Sequence, residues 1–148
     1  MNHSYDEQYL YDAQTNLGEA FDYAILGCNI DGDRFLELFI NSGLAGEFGS
    51  GSPRLVSGLS GTELALKILE NSLPEPVPPA RNYYDFSPEY WAGWILAYYQ
   101  WYTGQTFENI HKYISIEDII KMYNPLHEAP VEKFVEIVLN KSQYKKIL

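Results

Sequence analysis

The side chains that could do chemistry are few, and most of them stand apart. The chain has three histidines, His3, His111 and His127. His127-Glu128 begins like His-Glu-x-x-His, where two histidines one helical turn apart hold zinc and the glutamate acts as base. The second histidine would fall at position 131, which is Val131. Nothing in the spacing brings His3 or His111 to complete the set, so no metal is expected. Asn29-x-Asp31-x-Asp33 starts like a calcium loop, but Arg34 stands where the sharp turn needs glycine. Cys28 is the only cysteine. It lies in an acid-rich stretch, whereas a reactive thiolate needs an electropositive setting. There is no Gly-x-Ser-x-Gly elbow and no phosphate-cradling glycine motif. The many carboxylates include no indicated acid–base pair, because such a pair is defined by separation in space. No catalytic residue and no cofactor is assigned.

Two groups remain that could bind. Tyr98, Tyr102, His127 and Glu128 could bound an aromatic pocket for a small molecule, in a binding protein or an enzyme. Asp6, Asp12, Glu19 and Asp22 lie on a first helix without a basic residue and could steer a basic protein partner. The charge of the whole favours the second group. The net charge is −10, and residues 1–80 hold twelve Asp/Glu against three Lys/Arg, while residues 81–148 hold eight against seven. A nucleic-acid binder needs a basic footprint, and only Lys141, Lys145 and Lys146 approach one. Two short helices over 106–123 have a helix-turn-helix outline, but the second begins Glu117-Asp118, which phosphates repel. DNA binding is therefore rejected.

The elements that must position these groups read as helices. Leu10, Ala13, Leu17, Phe21, Ala24 and Cys28 recur at steps of three and four, which is one helical stripe. Asp31 caps a second helix with Phe35, Leu36, Leu38, Phe39 and Ile40 inward. Residues 43–61 form a glycine-rich loop, in which Arg54-Leu-Val-Ser57 could be a short extended piece. Ser60-Gly-Thr-Glu63 is a capping box for the next helix. Residues 73–86 carry Pro74, Pro76, Pro78 and Pro79 and read as a proline-rich strap lying on the protein's own aromatic residues. A PxxP ligand with Arg81 as its flanking base is the other reading of that segment. Ser87-Pro88-Glu89 starts a helix that Gly104 closes. Thr106 and Ser115 cap two more, Asn124-Pro125 breaks the second, and Ala129-Pro130 starts the last.

The helix over 88–103 is the most distinctive. Tyr90-Trp-Ala-Gly-Trp-Ile-Leu-Ala-Tyr-Tyr-Gln-Trp-Tyr102 contains all three tryptophans. A helix apolar on every side is a buried one. A membrane span needs about twenty apolar residues, and Pro88 and Gly104 fence this helix at fewer. Gly93, Ala97 and Gln100 mark a side that another helix can approach closely. Buried tyrosine hydroxyls need partners, so some of these tyrosines must meet water, polar groups or a ligand. The N-terminus has neither a basic region nor an apolar run, so no signal peptide is expected, and with one cysteine a cytoplasmic setting is.

Phe35-Leu-Glu-Leu-Phe-Ile-Asn-Ser-Gly-Leu-Ala45, Ser60-Gly-Thr-Glu-Leu-Ala65, the 90–102 run and Leu126-His-Glu-Ala-Pro-Val-Glu-Lys-Phe134 together resemble a family of small uncharacterised acidic proteins from Firmicutes. The resemblance covers most of the chain. Relatives of this type lie beside small genes resembling toxin–antitoxin components, including ADP-ribosyltransferase-like ones. The resemblance implies an antitoxin or immunity role, with no catalytic residues to carry over. Gly49-Ser-Gly-Ser-Pro departs from the family's less glycine-rich pattern, which puts contacts made there in doubt. The expectation is an all-α protein, one helical domain over 1–148, with six or seven helices around a central aromatic helix at 88–103. It would be a non-catalytic protein-binding module, with homo-oligomerisation open.

Overall fold

Two helices crossing at close range organise the fold. The computed structural model describes residues 2–82 and 86–147. Helix α1 (Leu10–Asp22) lies antiparallel to α6 (Pro88–Thr103). Glycine makes the approach possible. A Cβ on Gly93 would stand 2.3 Å from the Leu17 carbonyl oxygen and 2.9 Å from the Phe21 ring. One on Gly18 would stand 3.0 Å from both the ring and the carbonyl of Tyr90. Glycine in a helix interior costs roughly 1 kcal/mol against alanine, and here that loss permits backbone-to-backbone packing.

Hydrogen bonds fix both ends of the crossing. At one end Trp101 Nε1 donates to the Tyr5 carbonyl at 2.8 Å, and Ser4 N donates to the Trp101 carbonyl at 2.9 Å. At the other, Asp22 accepts from Ser87 Oγ and Arg81 Nε, both at 2.6 Å. Ser87 Oγ in turn accepts from Tyr90 N and caps α6. In the middle, Gln14 Nε2 donates to the Trp94 carbonyl.

The first stripe is buried throughout: Leu10, Ala13, Leu17, Phe21, Ala24 and Cys28. It carries on past α1 through a wider, π-type turn over Tyr23–Gly27. Burial pushes the Cys28 thiol up, opposed by a hydrogen bond with Tyr23, which suits a core residue. Helix α6 is the apolar axis that the aromatic run predicts. Trp91 and Trp101 are 7% and 4% exposed, and Ile95, Leu96 and Tyr99 are buried. Each fully buried side chain of this kind stabilises by about 1.5–3 kcal/mol.

Around this pair stand α2 (Gly32–Asn41), α3 (Leu44–Gly49), α4 (Pro53–Val56), α5 (Gly61–Ile68), α7 (Phe107–His111), α8 (Ile116–Lys121), α9 (Tyr123–Leu126) and α10 (Val131–Ile147). Among the described residues there are ten α-helices and no strand. No helix among them is long and apolar enough to cross a membrane. The predicted caps form: Asp31, Ser60, Ser87, Thr106 and Ser115 each accept from a backbone N–H in the first turn. Ser60 and Glu63 make both halves of the capping box, and the bond from the Ser60 N–H holds the Glu63 carboxyl below its ordinary range.

Three short helices exceed the expected number. The 43–61 segment is not an open loop, because Leu44, Ala45, Phe48, Leu55 and Val56 are buried in the core. They draw that segment into α3 and α4, and residues 54–56 are helical, not extended. Gly43 and Gly51 lie at φ 84° and 86°, where glycine is the easy choice. Asn124-Pro125 does not break α8, which ends at Lys121; it lies inside α9.

Tyr23 Oη ties the strap to the core by donating to the Pro78 carbonyl at 2.5 Å. Arg81 is ion-paired with Asp22, which removes the free base that a PxxP ligand would present. Positions 83–85 of the strap lie outside the described residues.

Candidate functional site

The four carboxylates of the first segment do different jobs. Asp6 and Asp12 are exposed, and Asp6 accepts from Gln8 N at 2.9 Å to cap a single turn of 3₁₀ helix over Glu7–Tyr9. Glu19 is half-buried and accepts from Gly61 N at the start of α5. Burial raises its pKa, opposed by that N–H. Asp22 is a correction to the acidic surface. Its side chain is 4% exposed and spent on Arg81 and Ser87, so it joins strap to helix and presents no charge outward.

The aromatic pocket also divides. Tyr98 and Tyr102 do not share a cleft with His127. They stack on each other with centroids 6.0 Å apart, and Trp101 and His3 complete the group, His3 lying 3.9 Å from Trp101. Trp94, Tyr98 and Tyr102 recur every four residues along α6 and are all half-buried. They form a ladder of about 12 Å at 1.5 Å per residue, open to water along one edge of an otherwise dry helix. Burial, then the charges of Glu132 on α10, Tyr102 and Glu7 before α1, raise the Tyr98 pKa. Glu7 and Glu132 are exposed. Sequence reasoning missed both, because neither belongs to the aromatic motif; only the antiparallel α1–α6 packing and the return of α10 bring them to Tyr98.

The neighbouring Tyr99 is satisfied internally. Tyr99 Oη lies 2.8 Å from Tyr113 Oη, and Tyr113 donates to Gln105 Oε1 at 2.7 Å. Burial raises both phenols' pKa.

His127 belongs to a separate cleft of about 310 Å³, lined by Phe86, Tyr90, Trp91, Trp94, Tyr123 and His127. Phe86 stacks on Tyr90 at 4.2 Å with planes 6° apart, and His127 stacks on Tyr123 at 4.1 Å and 10°. Trp91 stands edge-on to Tyr123 at 77°. His127 Nδ1 donates to the Tyr123 carbonyl at 2.7 Å, because a carbonyl can only accept. Its Nε2 therefore faces Glu128, 3.7 Å away.

A larger cavity, about 560 Å³, lies at the far end of α6 behind Gln100. Gln100 is buried, and its Nε2 reaches Ser4 Oγ, Gly49 O and Gln105 O. That amide ties the N-terminal segment, α3 and the loop after α6 together, a structural task. The calcium outline is resolved locally as well. Asp31 caps α2, whereas Asp33 turns away to accept from His111 Nε2 at 2.9 Å and from Ile116 N at 2.7 Å. No group of three or more metal-binding side chains comes together among the described residues.

No protein-family model, no curated protein and no solved structure matches this chain.

Proposed function

We propose that this protein is a non-catalytic binding module that takes a basic segment of a partner protein on the outer edge of α6. The observation that carries the reading is the half-buried Trp94–Tyr98–Tyr102 ladder, with the charges of Glu7 and Glu132 acting on Tyr98. Rings with open faces attract ammonium and guanidinium groups, and desolvated cation–π contacts are worth about 1–2 kcal/mol each. Carboxylates beside the rings add steering and register. Asp6 and Asp12 extend the negative field along α1, and Tyr11, 76% exposed, adds a further ring on that helix. The chain's charge of −10 acts in the same direction. An antitoxin- or immunity-type neutraliser is one form such a module takes, and a cytoplasmic setting belongs to the same reading.

The test is affinity capture from the source organism at low and high salt, with wild type beside Tyr98→Ala and Glu7→Lys/Glu132→Lys. A basic protein held by wild type at low salt and lost by both variants supports the proposal. Capture of nothing, or equal capture by all three, overturns it.

A further inference from the structure

The cleft around His127 is separate from the ladder's carboxylates, and we propose that it binds a small quaternary ammonium compound of the choline type. The cleft shares Trp94 with the ladder but holds neither Glu7 nor Glu132, so it can be tested apart from the protein-partner reading. The walls are five carbon-ring side chains and one imidazole, contributed by the first two turns of α6, by Phe86 just before it, and by α9 with His127 following it. Two parallel-stacked pairs and an indole set edge-on give ring planes in crossed directions. The ring faces that these stacks leave uncovered are electron-rich and attract a cation.

Charge decides between a cation and a neutral apolar ligand. Among the described residues, no lysine or arginine lines the cleft. The Glu128 carboxylate lies 3.7 Å from His127 Nε2, its side chain 90% exposed, on a chain of charge −10. Hydrogen-bonding chemistry then decides which cation. A primary ammonium brings three N–H donors and a guanidinium five, and each would need an acceptor once desolvated. Among the described residues, the wall contains no carboxylate. A quaternary nitrogen has no N–H, so it loses nothing against rings. The volume, about 310 Å³, is at the small end of ligand pockets, which run to about 1,000 Å³; it suits a head group and not an extended cofactor. The Nδ1–H bond to the Tyr123 carbonyl holds the imidazole parallel to its neighbour, so the wall is set before a ligand arrives.

The experiment titrates the intact protein with tetramethylammonium and with choline at physiological ionic strength, followed by tryptophan fluorescence and by NMR. The control is the neutral isostere of choline with carbon in place of nitrogen. Saturable binding of both cations is expected, with the isostere about tenfold weaker. Trp94→Leu and Tyr123→Leu are expected to weaken choline about tenfold, and Glu128→Gln about twofold. Phe86→Leu, at a 58% exposed position, serves as a second reader should a cleft variant fail to fold. Glu7→Lys/Glu132→Lys, which removes the protein-binding carboxylates, should leave choline binding unchanged. Equal binding of the isostere, tighter binding of lysine or arginine amides, binding only to phosphatidylcholine vesicles, or no saturable response overturns the proposal.

Discussion

The buried faces of α6 and its outer edge use the same amino acids for opposite ends. On the buried faces Gly93 lies against the backbone of α1, and Tyr99 spends its hydroxyl on Tyr113. On the outer edge Trp94, Tyr98 and Tyr102 keep part of their rings in water, and the charges of Glu7 and Glu132 act on Tyr98. Aromatic content does not separate the two. What separates them is whether a neighbouring element supplies a partner for the polar tip and a lid for the ring. The buried faces should therefore govern stability, and the outer edge recognition.

The largest effect expected is on the buried faces. Gly93→Ala forces a methyl to within 2.3 Å of the Leu17 carbonyl, and backbone cannot yield as a flexible side chain can. A loss of about 3 kcal/mol in denaturant unfolding is expected, despite alanine's better helix propensity. An unchanged midpoint would mean that the helices do not cross at this distance.

Asp22→Ala comes next. It removes the acceptor shared by Arg81 and Ser87. Breaking a buried ion pair costs roughly 3–5 kcal/mol, but Arg81 is 38% exposed and water replaces part of the loss. A cost of about 2 kcal/mol is expected, again by denaturant unfolding, with partner capture intact in the variant molecules that remain folded.

Tyr98→Ala should reverse that pattern. Stability is expected to change by about 1 kcal/mol or less, while salt-sensitive capture of a basic partner is lost. Loss of stability without loss of capture would place Tyr98 with the core.

The smallest effect belongs to Glu19→Gln. Burial raises the Glu19 pKa, so the folded chain holds that proton more readily than the unfolded chain. The favourable contribution is present at low pH and is lost as pH rises through the folded value. At neutral pH the neutral amide, which can still accept from Gly61 N, should raise Tm by about 2 °C or less. The difference from wild type should shrink as pH falls through the carboxylate range, as thermal melts across that range would show.

Much of the fold is legible in the sequence because its signals are local. A serine three residues before a glutamate, a proline after a serine, or apolar residues at steps of three and four act within one helix. The caps at Asp31, Ser60, Ser87, Thr106 and Ser115 and the buried stripe from Leu10 to Cys28 all follow from such rules. The 43–61 segment reads as a loop because glycine propensity argues against helix. Burial of Phe48, Leu55 and Val56 against the core outweighs that propensity, and no neighbouring residue announces it.

The candidate sites are legible in type and not in place. The sequence alone marks aromatic rings on α6, a histidine at 127 and an acidic first segment. It also determines that every long element is helical, since a 3.6-residue period and a capping residue are properties of the chain itself. Only the tertiary structure assigns Asp22 to the interior, moves His127 away from Tyr98 and Tyr102, and sets Glu7 and Glu132 beside the ladder. Those outcomes depend on how α1, α9 and α10 dock against α6, and docking follows the shapes of whole helix faces, which no residue specifies from its neighbours in sequence.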